Sequence, residues 1–134
     1  MLMHFGNWGL LVPNPNTVFV VDDDPGMLKG IERLLRVHGY DCRSFPSAEA
    51  LEKNVHDLVH ALGIILDIDP NGSSGIKLRY RLKDAGISVS VIYITGNDSP
   101  GIRDAALKSG CIAYLKKPFS MQALLQPLKR ERQQ

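Results

Sequence analysis

The fold is decided by residues 17–25, TVFVVDDDP, where five β-branched or aromatic residues lead directly into three aspartates and a proline. An apolar run of this length predicts a strand that is buried on both faces. The Asp24-Pro25 pair after it is typical of an N-cap and the first turn of a helix. The segment therefore predicts a buried strand, an acidic loop and then a helix.

The same alternation continues along the chain. We predict strands at residues 17–21, 40–45, 62–66, 89–94 and 111–115, with stretches of helical periodicity between and after them. The predicted helix starts are Asp24-Pro25, Ser47, Ser74, Ser99-Pro100 and Ser120. This order predicts an α/β fold, a doubly wound five-stranded parallel sheet flanked by five helices.

Two of the helices carry more detailed expectations. Ser47 is predicted to begin a single helix that carries Leu51, Val55 and Leu58. Pro127 lies about two turns into the last helix, where a proline removes a backbone hydrogen bond at a cost of roughly 3 kcal/mol. We therefore expect a kink or an early end at Pro127.

Length and composition limit the possible functions. A chain of 134 residues is one domain, and its formal charge of +2 gives no reason to expect nucleic-acid or membrane binding. Cys42 and Cys111 lie far apart in strand-like runs, which predicts two buried thiols in a reducing cytoplasm. The longest apolar runs fall well short of the roughly 20 residues that span a bilayer, and the N-terminus has no convincing signal peptide. A cytoplasmic protein is expected.

The two ends of the chain differ from its middle. Residues 1–16 hold prolines, glycines and asparagines before the first predicted strand, and we interpret them as an N-terminal appendage. Residues 130–134 form a polar tail, which is either a solvated helix end or the start of a linker to another domain.

Chemically active side chains follow four of the predicted strands. In an open parallel sheet, ligands bind beyond the carboxyl ends of the strands. The residues at those ends are Asp22-Asp23-Asp24, Asp67, Thr95-Gly96 and Lys116-Lys117-Pro118. Crowded carboxylates repel one another by about 4 kcal/mol per pair at 4 Å and an effective dielectric near 20, so a cation must offset them. Asp24 has the simpler explanation of an N-cap.

The chemistry of this set suits Mg²⁺ and a phosphoryl group. Hard oxygen ligands with room for water favour Mg²⁺ over caged Ca²⁺ or softer metals. Lys117 offers a point charge, Thr95 a hydroxyl donor and Asp67 a carboxylate able to attack phosphorus.

From residue 17 to about residue 129, the chain resembles the receiver domains of two-component response regulators, which share a flavodoxin-like (CheY-like) fold. Four motifs carry the resemblance in the family's order. They are Val20-Val21-Asp22-Asp23, Ile64-Ile65-Leu66-Asp67 with Gly75 at the expected offset, Ile94-Thr95-Gly96, and Lys117-Pro118-Phe119.

The resemblance implies a role for each site residue. Asp67 would accept phosphate from a phosphohistidine of a histidine kinase or phosphotransfer protein. Asp23, assisted through water by Asp22, would hold Mg²⁺ together with Asp67 and the backbone carbonyl of Asp69. Lys117 would pair with the acids and then with the phosphoryl oxygens.

The resemblance also implies a conformational switch. Thr95 would hydrogen-bond the new phosphoryl group, and its movement would let Tyr114 rotate inward and change the face formed by the fourth helix and fifth strand. The Lys117–Pro118 bond is expected to be cis. The signal would pass to a downstream protein or to an output domain outside this chain, and a homodimer is possible.

One loop departs from the family pattern. Receivers commonly carry Met-Pro three and four residues after the phosphoacceptor, whereas this chain has Pro70-Asn71. Asp69 and Asn97 flank the expected phosphoryl position, and we hypothesise that they tune acyl-phosphate hydrolysis by steering water.

Two other functions stay open. A receiver-like interaction module would work without phosphorylation. A Mg²⁺-dependent phosphohydrolase would also use an aspartyl phosphate, but it needs a second acid and a substrate pocket for which the chain has little room. On the favoured interpretation the protein catalyses only its own phosphotransfer and dephosphorylation. Direct binding of nucleic acid or membrane is not expected.

Overall fold

The computed structural model describes residues 3–5, 11–68 and 74–134. Within these residues, five strands form a parallel sheet in the order β4-β3-β5-β6-β7. The strands are β3 (Thr17–Val21), β4 (Asp41–Phe45), β5 (Gly63–Ile68), β6 (Val91–Thr95) and β7 (Ala113–Lys116). All five predicted strands are present, with ends shifted by two residues or fewer. Asp67 lies inside β5 rather than after it.

Helices cover both faces of the sheet. They are α1 (Pro25–Val37), α2 (Ala48–Glu52), α3 (Ser74–Asp84), α4 (Pro100–Ser109) and α5 (Met121–Arg132). On one face, α1 and α5 pack against Val20, Ile65 and Ile92. On the other, α2, α3 and α4 pack against Leu66 and Tyr93. The predicted doubly wound architecture is confirmed.

Helix starts follow the predicted capping residues. The Asp24 carboxylate accepts the backbone N–H groups of Gly26 and Met27, and the hydroxyls of Ser47, Ser99 and Ser120 each accept an N–H of their own helix. These bonds satisfy donors that have no partner within the helix. Ser74 is the first described residue of α3, so a cap before it lies outside the described residues.

The prediction of one long helix after Ser47 is wrong. The structure has the short helix α2 and then a 3-10 helix at Val55–His60. The Asn54 side-chain amide donates to the Ala50 carbonyl at 3.3 Å, and so takes the acceptor that the backbone N–H of Asn54 would use in a continuing α-helix. That N–H bonds to the Leu51 carbonyl instead, at 2.8 Å. Leu51 and Leu58 still reach the core, both at 0% exposure.

Of the two effects expected at Pro127, the early end of α5 is wrong, because the helix runs through Pro127 to Arg132, and the kink stays a prediction. Pro127 is buried together with Leu124, Leu125 and Leu128. Burial of these apolar side chains offsets the lost hydrogen bond. Three of the five residues assigned to a polar tail, 130–132, are therefore part of a helix.

Three further findings concern the remaining sequence predictions. Met3–Phe5 and Leu11–Pro13 form an antiparallel pair, β1 and β2, that was not predicted. Both cysteines are free, but only Cys42 is fully buried, and Cys111 is half-buried. In the part of the chain that the structure describes, no helix is long and apolar enough to cross a membrane.

The sheet order places the site. β3 lies between β4 and β5, and the chain crosses from the β4 side to the β5 side around it. Val21 is in register with Leu66, Asp67 with Ile94, and Thr95 with Lys116. The carboxyl ends of β3, β5, β6 and β7 therefore meet at one edge, at the point where the strand order reverses.

Candidate functional site

Asp22 is the buried centre of the site. It follows β3 directly, and its side chain is 0% exposed. One carboxylate oxygen, Oδ1, accepts the backbone N–H of Asp24 at 2.9 Å, and the other, Oδ2, accepts the Lys117 ammonium at 3.1 Å. Such a buried charge is stable only because both oxygens are paired.

Asp67 lies beside Asp22, with its side chain 13% exposed. Its Oδ1 accepts the Lys117 ammonium at 3.0 Å. Burial raises the pKa of Asp67 to about 6, helped by the charges of Asp22 and Asp23 and opposed by the hydrogen bond from Lys117. Asp67 is thus ionised at neutral pH but poorly stabilised as an anion.

Lys117 joins the two acids. Burial disfavours its charged form, but hydrogen bonds to Asp67 and Asp22 outweigh burial and raise the pKa of Lys117 above its usual value. The Lys117–Pro118 peptide bond is cis, and the backbone N–H of Lys117 donates to the Thr95 carbonyl at 2.7 Å. The ammonium is therefore a fixed positive charge between two carboxylates.

The donor set fits a divalent cation. Asp22, Asp23 and Asp67 each offer a carboxylate oxygen, and these oxygens lie within 4.8 Å of one another. Asp23 is exposed and Asp67 is partly exposed, so both can add water-accessible ligands. Three carboxylates against one ammonium leave excess negative charge, and an all-oxygen set with access to solvent suits Mg²⁺.

A cleft of about 410 Å³ opens above these acids. It is lined by Asp23, Asp67, Gly96, Asn97 and Lys117, among others. A second, smaller hollow of about 180 Å³ is also lined by Asp67. Its lining includes Ser47 and Ser74, which were predicted only as helix starts, and Glu49, which no motif singled out. Their place beside Asp67 follows from the packing of α2 and α3 and has no local sequence signal.

Thr95 ends β6 and is buried. Its hydroxyl donates to the Asn97 carbonyl at 3.1 Å and accepts the Asn97 N–H at 3.0 Å. The hydroxyl is therefore held in a local turn and would have to break this turn to reach a group on Asp67.

Tyr114, on β7, is half-buried, and its hydroxyl donates to Asp98 Oδ1 at 3.1 Å. Arg103 donates to the same carboxylate through Nε at 3.2 Å and Nη2 at 2.5 Å. Burial, together with the bond to Asp98, raises the pKa of Tyr114 above its usual range. Asp98 and Arg103 were not among the predicted site residues.

The structure thus brings together Asp22, Asp23, Asp67 and Lys117 in direct contact or within metal-binding reach. Asn97 lines the cleft, and the buried Thr95 is hydrogen-bonded to Asn97. Tyr114 lies farther along the sheet, in contact with Asp98. Asp69, Pro70 and Asn71 lie outside the described residues, so the predicted metal contact of Asp69 remains a prediction.

The sequence of this chain is similar to those of known proteins. The family model described as the response regulator receiver domain matches residues 18–129. Nodulation protein W of Bradyrhizobium diazoefficiens is 35% identical over 109 residues, which cover 81% of this chain and 47% of that protein. The transcriptional regulatory protein FixJ of Rhizobium meliloti is 27% identical over 114 residues, 85% of this chain and 55% of that protein. The chain spans about half the length of these curated relatives.

Solved structures agree with the sequence comparison. The crystal structure of FixJ-N superimposes with a TM-score of 0.77 at 26% identity, covering 87% of this chain and 93% of that one. The response regulator StyR gives a TM-score of 0.76 at 34% identity, covering 87% of this chain and 59% of that one.

Proposed function

Because the chain belongs to the response regulator receiver domain family, we propose that it accepts a phosphoryl group on Asp67 from a histidine kinase or a phosphotransfer protein. The observation that carries this proposal is the joint position of three carboxylates within 4.8 Å and of the Lys117 ammonium 3.0 Å from Asp67. The reaction would take place in the cytoplasm.

The transfer is a displacement at phosphorus. A carboxylate oxygen of Asp67 attacks the phosphorus of a phosphohistidine, and an O–P bond forms as the P–N bond breaks. The electron pair of the broken bond stays on the imidazole nitrogen, which takes up a proton from solvent. Asp67 must be ionised to attack, and its pKa of about 6 meets this condition at neutral pH.

Each neighbour of Asp67 has a part in this step. Asp23, Asp22 and Asp67 would hold Mg²⁺, with the backbone carbonyl of Asp69 as a further ligand. When bound, Mg²⁺ would neutralise charge that develops on the phosphoryl oxygens. Lys117 can shift its hydrogen bond from Asp67 to a phosphoryl oxygen, since it already lies at the attacking carboxylate.

After transfer, Thr95 would leave its turn with Asn97 and donate to the phosphoryl group. Tyr114 would then rotate inward, and the surface around α4 and β7 would change. A ligand shifts such an equilibrium only through contacts that differ between the two states, and the new Thr95 bond is one such contact. The altered surface would act on a downstream protein, on an output domain of a longer polypeptide, or on a second copy in a homodimer.

Hydrolysis of the acyl phosphate would restore the resting state. Asn97 lines the cleft, and we propose that its side chain, with Asp69, steers water toward phosphorus. Substitution of both residues should change the dephosphorylation rate, measured by loss of the added mass over time. An unchanged rate would contradict this role.

The acceptor function is tested by incubation with phosphoramidate and Mg²⁺ followed by intact mass spectrometry. The protein should gain one phosphoryl group, and Asp67→Asn should gain none. Asp84→Asn is the matched control, because Asp84 is an exposed acid at the end of α3.

Other outcomes would favour the other two functions. No gain of mass by the unsubstituted protein would favour an interaction module that works without phosphorylation. Continuous release of phosphate from a generic phosphomonoester would instead favour a phosphohydrolase.

A further inference from the structure

The chain between α2 and β5 departs from the conformation that its own sequence favours. Residues 48–60, AEALEKNVHDLVH, contain no glycine or proline, and Leu51, Val55 and Leu58 recur at the spacing of one helical face. The structure nevertheless has the short helix α2, a break at Asn54 and then the 3-10 helix. A contact from outside the segment therefore outweighs its local preference for one helix.

The break is confined to the backbone of one residue. Asn54 has φ −122° and ψ 26°, whereas Lys53 before it is in the right-handed helical region. The backbone N–H of Asn54 bonds to the Leu51 carbonyl, three residues back, and not to Ala50. A change at Asn54, together with the small step from 3-10 to α-helical bonding, would join the two helices.

Arg43, on the edge strand β4, holds Asn54 in this conformation. Its Nη2 donates to Asn54 Oδ1 at 3.0 Å, and its Nη1 donates to Asp57 Oδ2 at 2.6 Å. The amide oxygen of Asn54 is thereby fixed toward Arg43, and the amide nitrogen donates to the Ala50 carbonyl at 3.3 Å. That carbonyl is the acceptor that a continuing α-helix would use. We call the contacts of Arg43 with Asn54 and Asp57 the Arg43 latch.

The guanidinium of Arg43 is itself held in place. It lies 5.2 Å from the centre of the Phe19 ring and 5.5 Å from that of Phe45, and the two rings stack 5.7 Å apart. Both rings are buried, and the Arg43 side chain is only 17% exposed. Charge-assisted bonds and contacts with ring faces are stronger at such a site than on an open surface. The latch is therefore a fixed feature of the sheet, to which residues 54–57 conform.

Val59 shows the cost of the break. Its side chain is 60% exposed. In a continuous α-helix, Val59 would lie one turn after Val55 and on the same face as Leu51. Leu51 is buried and Val55 already packs against the core on that side of the sheet. The break therefore keeps in water an apolar side chain that the continuous helix would turn inward.

We propose that residues 48–60 are a two-state element and that the Arg43 latch holds it in the broken state. Release of the latch frees the Ala50 carbonyl, joins α2 and the 3-10 helix into one helix and withdraws Val59 from the surface. The latch thus decides whether this side of the molecule presents an exposed apolar side chain. The proposal does not depend on phosphorylation of Asp67.

The substitution Arg43→Met tests the latch in the unphosphorylated protein without added metal. Methionine can still cover the two phenyl rings but cannot donate to Asn54 or Asp57. NMR spectra should gain a contact between the Hα of Ala50 and the amide proton of Asn54, which an α-helix has and the broken helix lacks. The exposure of the Val59 methyl groups to a soluble paramagnetic agent should fall about two-fold as the side chain turns inward.

Arg36→Met is the matched control for this variant. Arg36 also donates to β4, at the Cys42 carbonyl, but it pairs with Glu32 of α1. The control should therefore leave the break at Asn54 unchanged. A continuous helix in both variants would mean that the loss of either arginine at β4 produces it, and this would overturn the latch.

A second variant, Asn54→Ala, keeps Arg43 and its bond to Asp57, and it decides the question if Arg43→Met does not fold. It removes the side-chain amide from the Ala50 carbonyl and should also give one continuous helix. His56→Ala, at an exposed position of the same segment, gains a similar helix propensity with the latch intact and should keep the break. Closure in His56→Ala would show that propensity alone decides, and would overturn the latch. So would a break that persists in Asn54→Ala or in folded Arg43→Met, or a segment that loses all helical contacts.

Discussion

Opposing effects meet at one residue, Asp67. Burial and the neighbouring acids favour its neutral form, whereas Lys117 favours its anion, and the balance leaves the pKa at about 6. A carboxylate whose pKa is raised on folding destabilises the fold when ionised. The ionised Asp67 side chain therefore lowers the stability of the fold, and the reactivity that we propose for it would come at that cost.

Replacement of Asp67 by Asn should stabilise the metal-free protein at pH 7. The expected gain in the free energy of unfolding is on the order of 1 kcal/mol, discounted for the solvent that reaches the site. The folded pKa is raised, so the gain is complete above pH 6 and is lost as pH falls toward 3.8, the ordinary value, where Asp67 is protonated in both states. Urea unfolding from pH 7 to pH 4 measures it. A gain that grew with acidity, or one shared by Asp84→Asn, would contradict the assignment.

Gly75 is a second residue at which the structure predicts a specific effect of substitution. A Cβ at Gly75 would lie 2.8 Å from the backbone carbonyl oxygen of Asp67, whereas a Cβ at Gly30 would meet nothing within 4 Å. Gly75→Ala should therefore destabilise the protein by about 1–3 kcal/mol and slow phosphorylation of the displaced Asp67. Gly30→Ala, in the interior of α1, should stabilise it by about 0.5–1 kcal/mol. Thermal unfolding of Gly75→Ala and Gly30→Ala checks both expectations. Equal changes in stability in the two variants would show that the close contact of Gly75 with the Asp67 backbone does not hold Asp67 in place.

Sequence identified the residues of the site better than it identified their contacts. The rule that side chains gather at strand ends led to Asp22, Asp67 and Lys117, and the distances agree. The Asp98–Arg103 pair was missed, because two opposite charges in a loop and a helix are common and give no signal of a shared partner. The pKa of Asp67 depends on burial, which comes from strands far away in the sequence.

At the scale of helices and strands, predictions from sequence were correct where they depended on one strong local feature and not on contacts with other elements. The caps Asp24, Ser99 and Ser120 predicted the starts of α1, α4 and α5, because each side chain accepts backbone N–H groups of its own helix without help from other elements. The break after α2 arises because the side chain of Asn54, rather than its backbone N–H, donates to the Ala50 carbonyl. The sequence does not show which of these two donors will form the bond. The course of α5 depends on burial around Pro127.

This account of α5 predicts that Pro127→Ala stabilises the protein. Alanine restores a helical hydrogen bond worth about 3 kcal/mol relative to proline, and loses about two buried methylenes at roughly 0.8 kcal/mol each. Alanine also leaves the unfolded chain more conformational freedom than proline does, and this removes part of the remaining gain in the free energy of unfolding. We expect a net gain on the order of 1 kcal/mol by denaturant unfolding. Gln126→Ala, an exposed neighbour in the same helix, is the control. A clear loss of stability would mean that packing of the proline ring dominates.

At the scale of the whole molecule, the acidic cluster couples metal binding to folding. A cation that binds only the folded state stabilises it, by about 1.4 kcal/mol when its concentration is ten times its Kd. Mg²⁺ should therefore raise the unfolding midpoint of the protein, and Asp23→Asn should remove most of this increase because Asp23 is the exposed acid of the set. If Mg²⁺ stabilised the unsubstituted protein and Asp23→Asn equally, the ion would bind elsewhere.

The ammonium of Lys117 contacts Asp22, which lies 95 residues earlier in the sequence, and it also contacts Asp67. During synthesis on the ribosome, Asp67 emerges long before Lys117, and the two can meet only after β7 has joined the sheet and the chain has passed into α5. A nascent chain thus carries Asp67 without its cationic partner. If Asp67 is the acceptor that we propose, a phosphodonor can use the protein only once translation of nearly the whole domain is complete.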